Sequence, residues 1–107
     1  MKLVNLTPHS VTILGDIELS VESSGVARIA AQDEVSGALE VLGISVPITK
    51  TVFGDPVGLP EAEDGVALIV SRLVAAALPE RNDLFFPNQL VRDDQGRIIG
   101  CKSLSRI

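Results

Sequence analysis

Short runs of apolar residues, many of them β-branched, alternate with turn residues over the first half of the chain. Residues 11–21 read VTILGDIELSV, and the Gly-Asp turn between two β-prone runs predicts a hairpin. Residues 38–53 predict a second hairpin that turns near Gly43. Because Pro47 has no backbone N–H to donate, the second arm of that hairpin is expected at a sheet edge or a bulge. The pattern is typical of antiparallel strands.

The second half of the chain contains the one convincing helical segment. Residues 54–65 carry three glycines and two prolines and predict a loop. The run VALIV then predicts a buried strand, Ser71 is a suitable N-cap for the segment RLVAAAL, and Pro79 ends the helix. The segments LVR, DDQG and RIIGCKSL predict a final hairpin. We therefore predict a single α+β domain over residues 1–107, with mostly antiparallel β-strands and hairpins and one short helix near residues 72–78.

The apolar residues are almost all aliphatic. Of the 107 residues, 46% are hydrophobic, yet the aromatic residues are three phenylalanines, with no tryptophan or tyrosine. A small domain with such an aliphatic surplus is expected to close part of its apolar surface against another copy. A strand edge marked by Pro47 also needs cover. The composition thus predicts a homo-oligomer.

The distribution of charge limits the possible partners. The net charge of −5 argues against a nucleic-acid polymer as partner, because phosphates require a basic surface. Residues 1–64 contain three basic and ten acidic residues, whereas residues 65–107 contain six basic and four acidic ones. Any anion site is therefore expected in the C-terminal part. The short apolar runs suit neither a secretory signal nor a membrane span, so we expect a cytoplasmic protein with no membrane partner.

Few residues are suited to catalysis or metal binding. His9 is the only histidine and has no nucleophile paired with it in sequence, so a role in the turn around Pro8, shared with Thr7 and Ser10, is the better interpretation. Cys101 is the only cysteine and is expected to pack as a small hydrophobe. The acidic run from Glu61 to Asp64 lacks the spacing of a calcium loop and is interpreted as a solvated loop. We predict no catalytic residue, no metal site and no cofactor.

The stretch ERNDLFFPNQLVRDDQGR, residues 80–97, is the most suggestive of ligand binding. Arginine forks bind phosphate oxygens, a phenylalanine face stacks on a nucleobase, and an asparagine amide reads a base edge. The candidate ligand-binding residues are Phe85, Phe86, Asn88, Arg92 and Arg97, together with Arg72 in the first turn of the predicted helix, where anions are favoured.

A purely structural interpretation of the same stretch stays open. Leu84 and Phe86 would then enter the core while Arg81 and Asp83 pair locally. Neighbours on an extended segment face opposite sides, so one phenylalanine is expected in the core and the other outside it. In this interpretation Arg92 pairs with an aspartate of the DDQG turn, and Arg72 is an exposed surface residue.

The chain also resembles a known group of proteins over nearly its full length. The resemblance is carried by VNLTPHSVTI, SSGVARIA, VPITKTVFGDPVGLPE, LIVSRLVAAALPERNDL and VRDDQGRIIG. These segments are similar to small phage-borne proteins of the Thoeris anti-defence sponge family. The resemblance implies an oligomeric protein of the host-cell cytoplasm that sequesters the cyclic ADP-ribose signal made by bacterial TIR enzymes, without cleaving it. Some members of that family also hold cyclic oligonucleotides at a separate site.

For the site, the resemblance implies an aromatic residue, an asparagine and arginines around the ligand. Phe85 or Phe86, Asn88, Arg92 and Arg97 are the matching residues here. Because the chain has no tyrosine, stacking must fall to phenylalanine or to arginine planes. Two other functions stay open. One is an oligomeric phage structural or protein-binding inhibitor domain, and the other is a small cyclic-nucleotide hydrolase.

Overall fold

The computed structural model describes all 107 residues and contains eight strands and one helix. The elements are β1 (Lys2–Asn5), β2 (Val11–Ile13), β3 (Leu19–Val21), β4 (Arg28–Val41), β5 (Ile44–Val57), β6 (Val66–Ile69), α1 (Arg72–Ala77), β7 (Leu84–Arg92) and β8 (Ile98–Ser105). The predicted α+β class, with mostly antiparallel strands and one short helix, is confirmed. The six-residue α1 is the only helix, and no helix is long and apolar enough to cross a membrane.

Six strands form a mixed sheet in the order β1-β6-β7-β8-β2-β3. The predicted hairpins β2–β3 and β7–β8 are antiparallel, as expected from their tight turns. The sequence pattern did not predict that β1 pairs parallel to β6, that β6 pairs parallel to β7, or that β2 pairs parallel to β8. The helix forms the crossover between β6 and β7, because parallel neighbours cannot be joined by a tight turn.

The helix begins where the sequence predicts. The hydroxyl of Ser71 accepts a hydrogen bond from the backbone N–H of Val74 at 3.3 Å, and the helix ends at Leu78, just before Pro79. Val74 and Ala75 face the sheet and are buried. They belong to the larger core cluster on the helix side of the sheet. The other members of that cluster are Leu6, Ala27, Leu68, Val70, Leu84 and Phe86.

The turn after β1 is organised by Asn5, which is fully buried. Its side-chain amide donates hydrogen bonds to the carbonyl oxygens of His9 and Val21, at 2.8 and 2.9 Å. Its side-chain oxygen accepts from the backbone N–H and from the hydroxyl of Thr7. The predicted role of Thr7 in this turn is confirmed. His9 takes part through its backbone carbonyl, which also accepts from Thr7, and its ring makes no hydrogen bond.

Strands β4 and β5 form a separate two-stranded sheet, which we call the arm. Its tip is a two-residue turn at Leu42 and Gly43, both with positive φ, so the predicted turn near Gly43 is confirmed. The loop predicted over residues 54–65 begins later than expected, at residue 58. Residues 54–57 belong to β5, whose end pairs with the beginning of β4. Both strands of the arm are edge strands, so the expectation that the strand with Pro47 lies at a sheet edge or a bulge is confirmed.

The arm makes the molecule elongated. The radius of gyration is 17.5 Å and the principal extents are 57 × 39 × 19 Å. A compact domain of this length has a radius of gyration of about 13 Å. Along the arm every residue except the half-buried Ile29 is exposed. Most of the arm therefore has no cover from its own chain.

Candidate functional site

Strand β7 carries most of the predicted ligand-binding residues and alternates between the two faces of the sheet. Leu84 and Phe86 are 2% and 8% exposed and belong to the core on the helix side. Phe85 lies between them, half-buried, beside Ile69 of β6. The expectation that the two phenylalanines separate is confirmed, and the structure agrees with the structural interpretation in which Leu84 and Phe86 enter the core. Phe86 therefore has too little free surface to stack on a nucleobase.

Arg72 covers the core phenylalanine. Its guanidinium carbon lies 5.7 Å from the centroid of the Phe86 ring, within the range of a cation–π contact. The rest of Arg72 is exposed at the first position of α1. The structure thus brings together Arg72 and Phe86, two of the predicted site residues, in a contact that belongs to the core of the fold.

Phe85 lines an open cleft of about 420 Å³ at the start of β7. That size falls within the range of small-molecule sites. Its lining contains the carboxylates of Glu63, Asp64, Glu80 and Asp83 and only one cationic side chain, Arg81. The cleft is therefore acidic, which opposes phosphate groups but suits hydroxyl groups and planar rings.

The one cationic side chain of this cleft is already paired with a carboxylate. Arg81 donates two hydrogen bonds to the carboxylate of Asp83, both at 2.8 Å, and a third to the carbonyl oxygen of Pro60. The predicted local pairing of Arg81 with Asp83 is confirmed, and it is the only ion pair in the chain. Hydrogen bonding to Arg81 lowers the pKa of Asp83, and the same contact raises the pKa of Arg81. This bidentate pair anchors the segment that leads into β7.

Arg92 and Arg97 flank the turn between β7 and β8, as predicted. The backbone N–H of Asp93 donates to the carbonyl oxygen of Arg97 at 2.8 Å, which holds the two arginine-bearing strand ends together. The carboxylate of Asp93 accepts from the backbone N–H groups of Gln95 and Arg97. It therefore stabilises the turn backbone.

The arginine side chains of this turn have no carboxylate partner. The Arg92 guanidinium donates to the carbonyl oxygen of Gly96 at 2.9 Å, and neither Arg92 nor Arg97 forms an ion pair. The structural alternative, in which Arg92 pairs with an aspartate of the turn, is not what the structure shows. One oxygen of the Asp93 carboxylate accepts from two backbone N–H groups, and Arg92 donates to a backbone carbonyl instead. We call Arg92 and Arg97 the arginine turn.

The predicted shared site does not assemble within one chain. Phe85 and Arg92 are seven residues apart on β7, and at about 3.3 Å per residue they lie roughly 20 Å apart. Asn88 is exposed between them and pairs with Ser103. A small cyclic nucleotide cannot reach from Phe85 to the arginine turn. Neighbours in the sequence were expected to share a site, but an extended strand moves them apart.

Sequence reasoning missed an apolar groove of about 250 Å³ on the sheet. It is lined by Ser10, Val11, Thr12, Pro87, Leu90, Ile98, Ile99, Gly100 and Cys101. The sequence signal for it is Gly100, whose missing side chain lets β2 approach, since a Cβ there would lie 2.8 Å from the carbonyl oxygen of Thr12. The groove has no charged lining residue and suits apolar groups.

Cys101 lies at the base of this groove and is only 1% exposed, which confirms the expectation that it packs in the core. Burial raises the pKa of its thiol, so the reactive thiolate is disfavoured.

We expect Cys101 to be alkylated by iodoacetamide at pH 8 at least about 100-fold more slowly in the folded protein than in guanidinium, because both access and thiolate formation are suppressed. Mass spectrometry of timed samples measures the ratio. Folded and unfolded rates that agree within a factor of three would contradict the burial.

The remaining candidates form no site of their own. His9 is exposed, the acidic run from Glu61 to Asp64 lies in the exposed loop before β6, and no three His, Cys, Asp or Glu side chains come together in a way that could hold a metal ion. Comparisons with protein-family models, with curated proteins and with solved structures gave no significant match.

Proposed function

We propose that this protein is a phage anti-defence sponge that binds a small cyclic nucleotide signal, a cyclic ADP-ribose isomer, and sequesters it without cleavage. The observation that carries the proposal is the arginine turn, in which Arg92 and Arg97 lie at one tight turn without a carboxylate partner. The sequence resemblance described above supports the same function. A second ligand of the cyclic oligonucleotide class belongs to this proposal.

The arginine turn has the properties that a pyrophosphate site needs. Charge-assisted hydrogen bonds from guanidinium groups are among the strongest in proteins, and arginine matches phosphate geometry bidentately. The turn backbone is held by the side chain of Asp93 and by the Arg92–Gly96 contact, so little backbone freedom is lost when an anion binds. A phosphate would therefore meet guanidinium groups on a pre-organised turn, which also carries the carboxylates of Asp93 and Asp94.

The base of the ligand requires a different arrangement from the one expected from sequence. Because Phe85 lies roughly 20 Å from the arginine turn along β7, it cannot stack on a base whose phosphates sit on the same chain's arginines. The base stacks instead on an arginine plane, or on Phe85 of a second copy brought to the turn by oligomerisation. In the latter case the acidic cleft around Phe85 would hold ribose hydroxyl groups.

Removing either arginine is expected to weaken binding of a cyclic ADP-ribose isomer by roughly ten- to hundredfold, because a hydrogen bond to a charged group contributes about 1.5–3 kcal/mol. Isothermal titration calorimetry of Arg92→Ala and Arg97→Ala measures the loss. Arg106→Ala is the matched control, because Arg106 is exposed and follows the end of β8 farthest from the arginine turn. If both turn variants fold and bind like the parent, the arginine turn is not the site.

A thermal-shift screen of the parent protein against cyclic ADP-ribose isomers and cyclic oligonucleotides tests the function itself. A sponge is stabilised by its ligand and returns it chemically intact when the complex is heated, as chromatography would show. A cleaved product in more than stoichiometric yield would contradict the sponge and favour the alternative of a small cyclic-nucleotide hydrolase.

One observation favours a second candidate function. The arm exposes apolar residues along its length, which suits an oligomeric phage structural or protein-binding inhibitor domain. Such a domain needs no small ligand. If no nucleotide in the screen stabilises the protein, the structural or inhibitor domain is favoured over the sponge.

A further inference from the structure

The apolar groove opens beside the arginine turn. Leu90 of β7 and Ile98 of β8 both line it. Arg92 follows Leu90 by two residues, and because strand residues alternate between faces, both side chains leave β7 on the same face. Arg92 is also the cross-strand partner of Ile98, and the Cβ atoms of such partners lie about 4.5–5.5 Å apart. The groove and the guanidinium group of Arg92 are therefore neighbours on one surface of a single chain.

A β-bulge lies on the β8 side of this groove. Val91 pairs with Gly100 and Arg92 pairs with Ile98, so Ile99 has no partner on β7. An extra residue of this kind re-aims side chains, and bulges are common beside functional sites. Here the two consecutive residues Ile98 and Ile99 both line the groove, although neighbours on a regular strand face opposite sides. The bulge thus adds a second large aliphatic side chain to the lining.

The backbone of β7 is also irregular at the groove. Gln89 lies between the lining residues Pro87 and Leu90 and has a φ of +54°. This left-handed conformation is unfavourable for a residue with a side chain, and such residues cluster at ligand sites. Around it, the side chains of Leu90, Ile98 and Ile99 are 48%, 53% and 50% exposed. The groove therefore combines a strained strand with large aliphatic side chains that the chain itself does not cover.

The size and chemistry of the groove limit what can fill it. Its volume is about 250 Å³. A site for a whole small molecule usually has about 300–1,000 Å³, whereas about 150 Å³ among aliphatic side chains holds one benzene ring. The groove therefore suits one fused ring system, and the rest of such a ligand must lie outside it. No lining residue is charged, so the ring must be neutral, and an anionic group attached to it would meet the arginine turn.

We infer that this groove holds the adenine base of the ligand while the arginine turn holds its phosphates, so that one chain supplies both halves of the site. The inference rests on the proposed function, because it assigns the base-binding half of the same site. One apolar face of the base lies on Leu90, Ile98 and Ile99, and a guanidinium plane of the arginine turn covers the other. The polar edge of the base meets the hydroxyl groups of Ser10 and Thr12. Of the two arrangements left open for the base, this one needs no second copy.

Leu90→Ala is expected to weaken binding of a cyclic ADP-ribose isomer and of ADP by roughly tenfold, because apolar contact with the base is lost. ADP carries the same base and a pyrophosphate without the cyclic linkage. Binding of inorganic pyrophosphate, which has no base, should be unchanged in this variant, whereas Arg92→Ala should weaken all three probes. Leu73→Ala is the matched control, because Leu73 is 47% exposed, as Leu90 is 48% exposed, and lies on α1 outside the groove. Isothermal titration calorimetry measures each probe on the parent and the variants.

The three probes separate failure of this inference from failure of the proposed function. The inference is overturned if the nucleotides bind the parent no more tightly than pyrophosphate, or bind Leu90→Ala as they bind Leu73→Ala. Either result leaves the sponge and the arginine turn in place. If ADP shows the expected pattern and no cyclic isomer binds, the sponge is contradicted and the base groove stands. A parent that binds none of the three probes would overturn both.

A second measurement on the parent protein decides the matter if Leu90→Ala fails to fold. In NMR spectra of the complex with ADP, the two ring protons of adenine should show nuclear Overhauser effects to the methyl groups of Leu90, Ile98 and Ile99. Effects to the ring protons of Phe85 instead would overturn the inference, because they place the base in the acidic cleft of a second copy. Saturating ADP without any effect to the three groove side chains would overturn it as well.

Discussion

Asn5→Ala is expected to destabilise the protein by about 3–5 kcal/mol. The Asn5 side chain is fully buried and makes four hydrogen bonds, to Thr7, His9 and Val21. Leaving a buried donor or acceptor without a partner costs about 1–3 kcal/mol, and several groups are affected together. Since a small domain is stable by only about 5–15 kcal/mol, this is a large fraction of the total.

Thermal unfolding followed by circular dichroism measures the effect, which corresponds to a fall in Tm of roughly 15–30 °C for a domain of this size. Thr7→Val removes only the hydroxyl partner and should cost about 1 kcal/mol. Asn82→Ala is the matched control, because Asn82 is exposed and makes no side-chain hydrogen bond, and it should stay within about 0.5 kcal/mol of the parent. If Asn5→Ala unfolds within a few degrees of the parent, Asn5 is not the organiser of this turn.

Gly58→Ala is expected to cost about 2–5 kcal/mol and to disturb the point where the arm leaves the body. Gly58 has a φ of +77°, and a Cβ at this position would lie 2.5 Å from the carbonyl oxygen of Val26. The left-handed conformation costs a non-glycine residue about 1–2 kcal/mol. The clash adds about 1–3 kcal/mol, because it is with backbone and cannot be relieved by a rotamer change.

Comparison with Gly65→Ala separates the cost of the left-handed conformation from the cost of the clash with Val26. Gly65 has nearly the same φ, +76°, but a Cβ there would meet no atom within 4 Å. It should show only the conformational cost of about 1–2 kcal/mol. Denaturant unfolding of both variants, with the slope compared to that of the parent, measures the difference. Equal destabilisation of the two variants would show that the close approach of Val26 is unimportant.

The functional residues show where reasoning from sequence was reliable. Alternation along β7 correctly predicted that the two phenylalanines separate, because the two-residue period is a property of the strand itself. Which of them enters the core was left open by the sequence, and the structure places Phe86 there with Leu84. The turn between Arg92 and Arg97 was also predicted, since it depends on four adjacent residues. The distance from Phe85 to that turn was not predicted, because closeness in sequence says nothing about direction along an extended strand.

By itself the sequence determined the local elements of this protein. Turn residues set the three hairpins, Ser71 and Pro79 bounded the helix, and Arg81 and Asp83 paired across two residues. Each of these depends on groups close together in the chain.

Only the tertiary structure decided how those elements combine. It paired β1 with β6 across more than 60 residues, made Asn5 the buried organiser of the first turn, and left most of the arm without cover from its own chain. It also divided the predicted ligand site into an acidic cleft and an arginine turn. The physical reason is that strand order and burial depend on hydrogen bonds and apolar contacts between segments far apart in the chain. The two-residue period of a strand carries no information about them, because it is the same for every pairing partner.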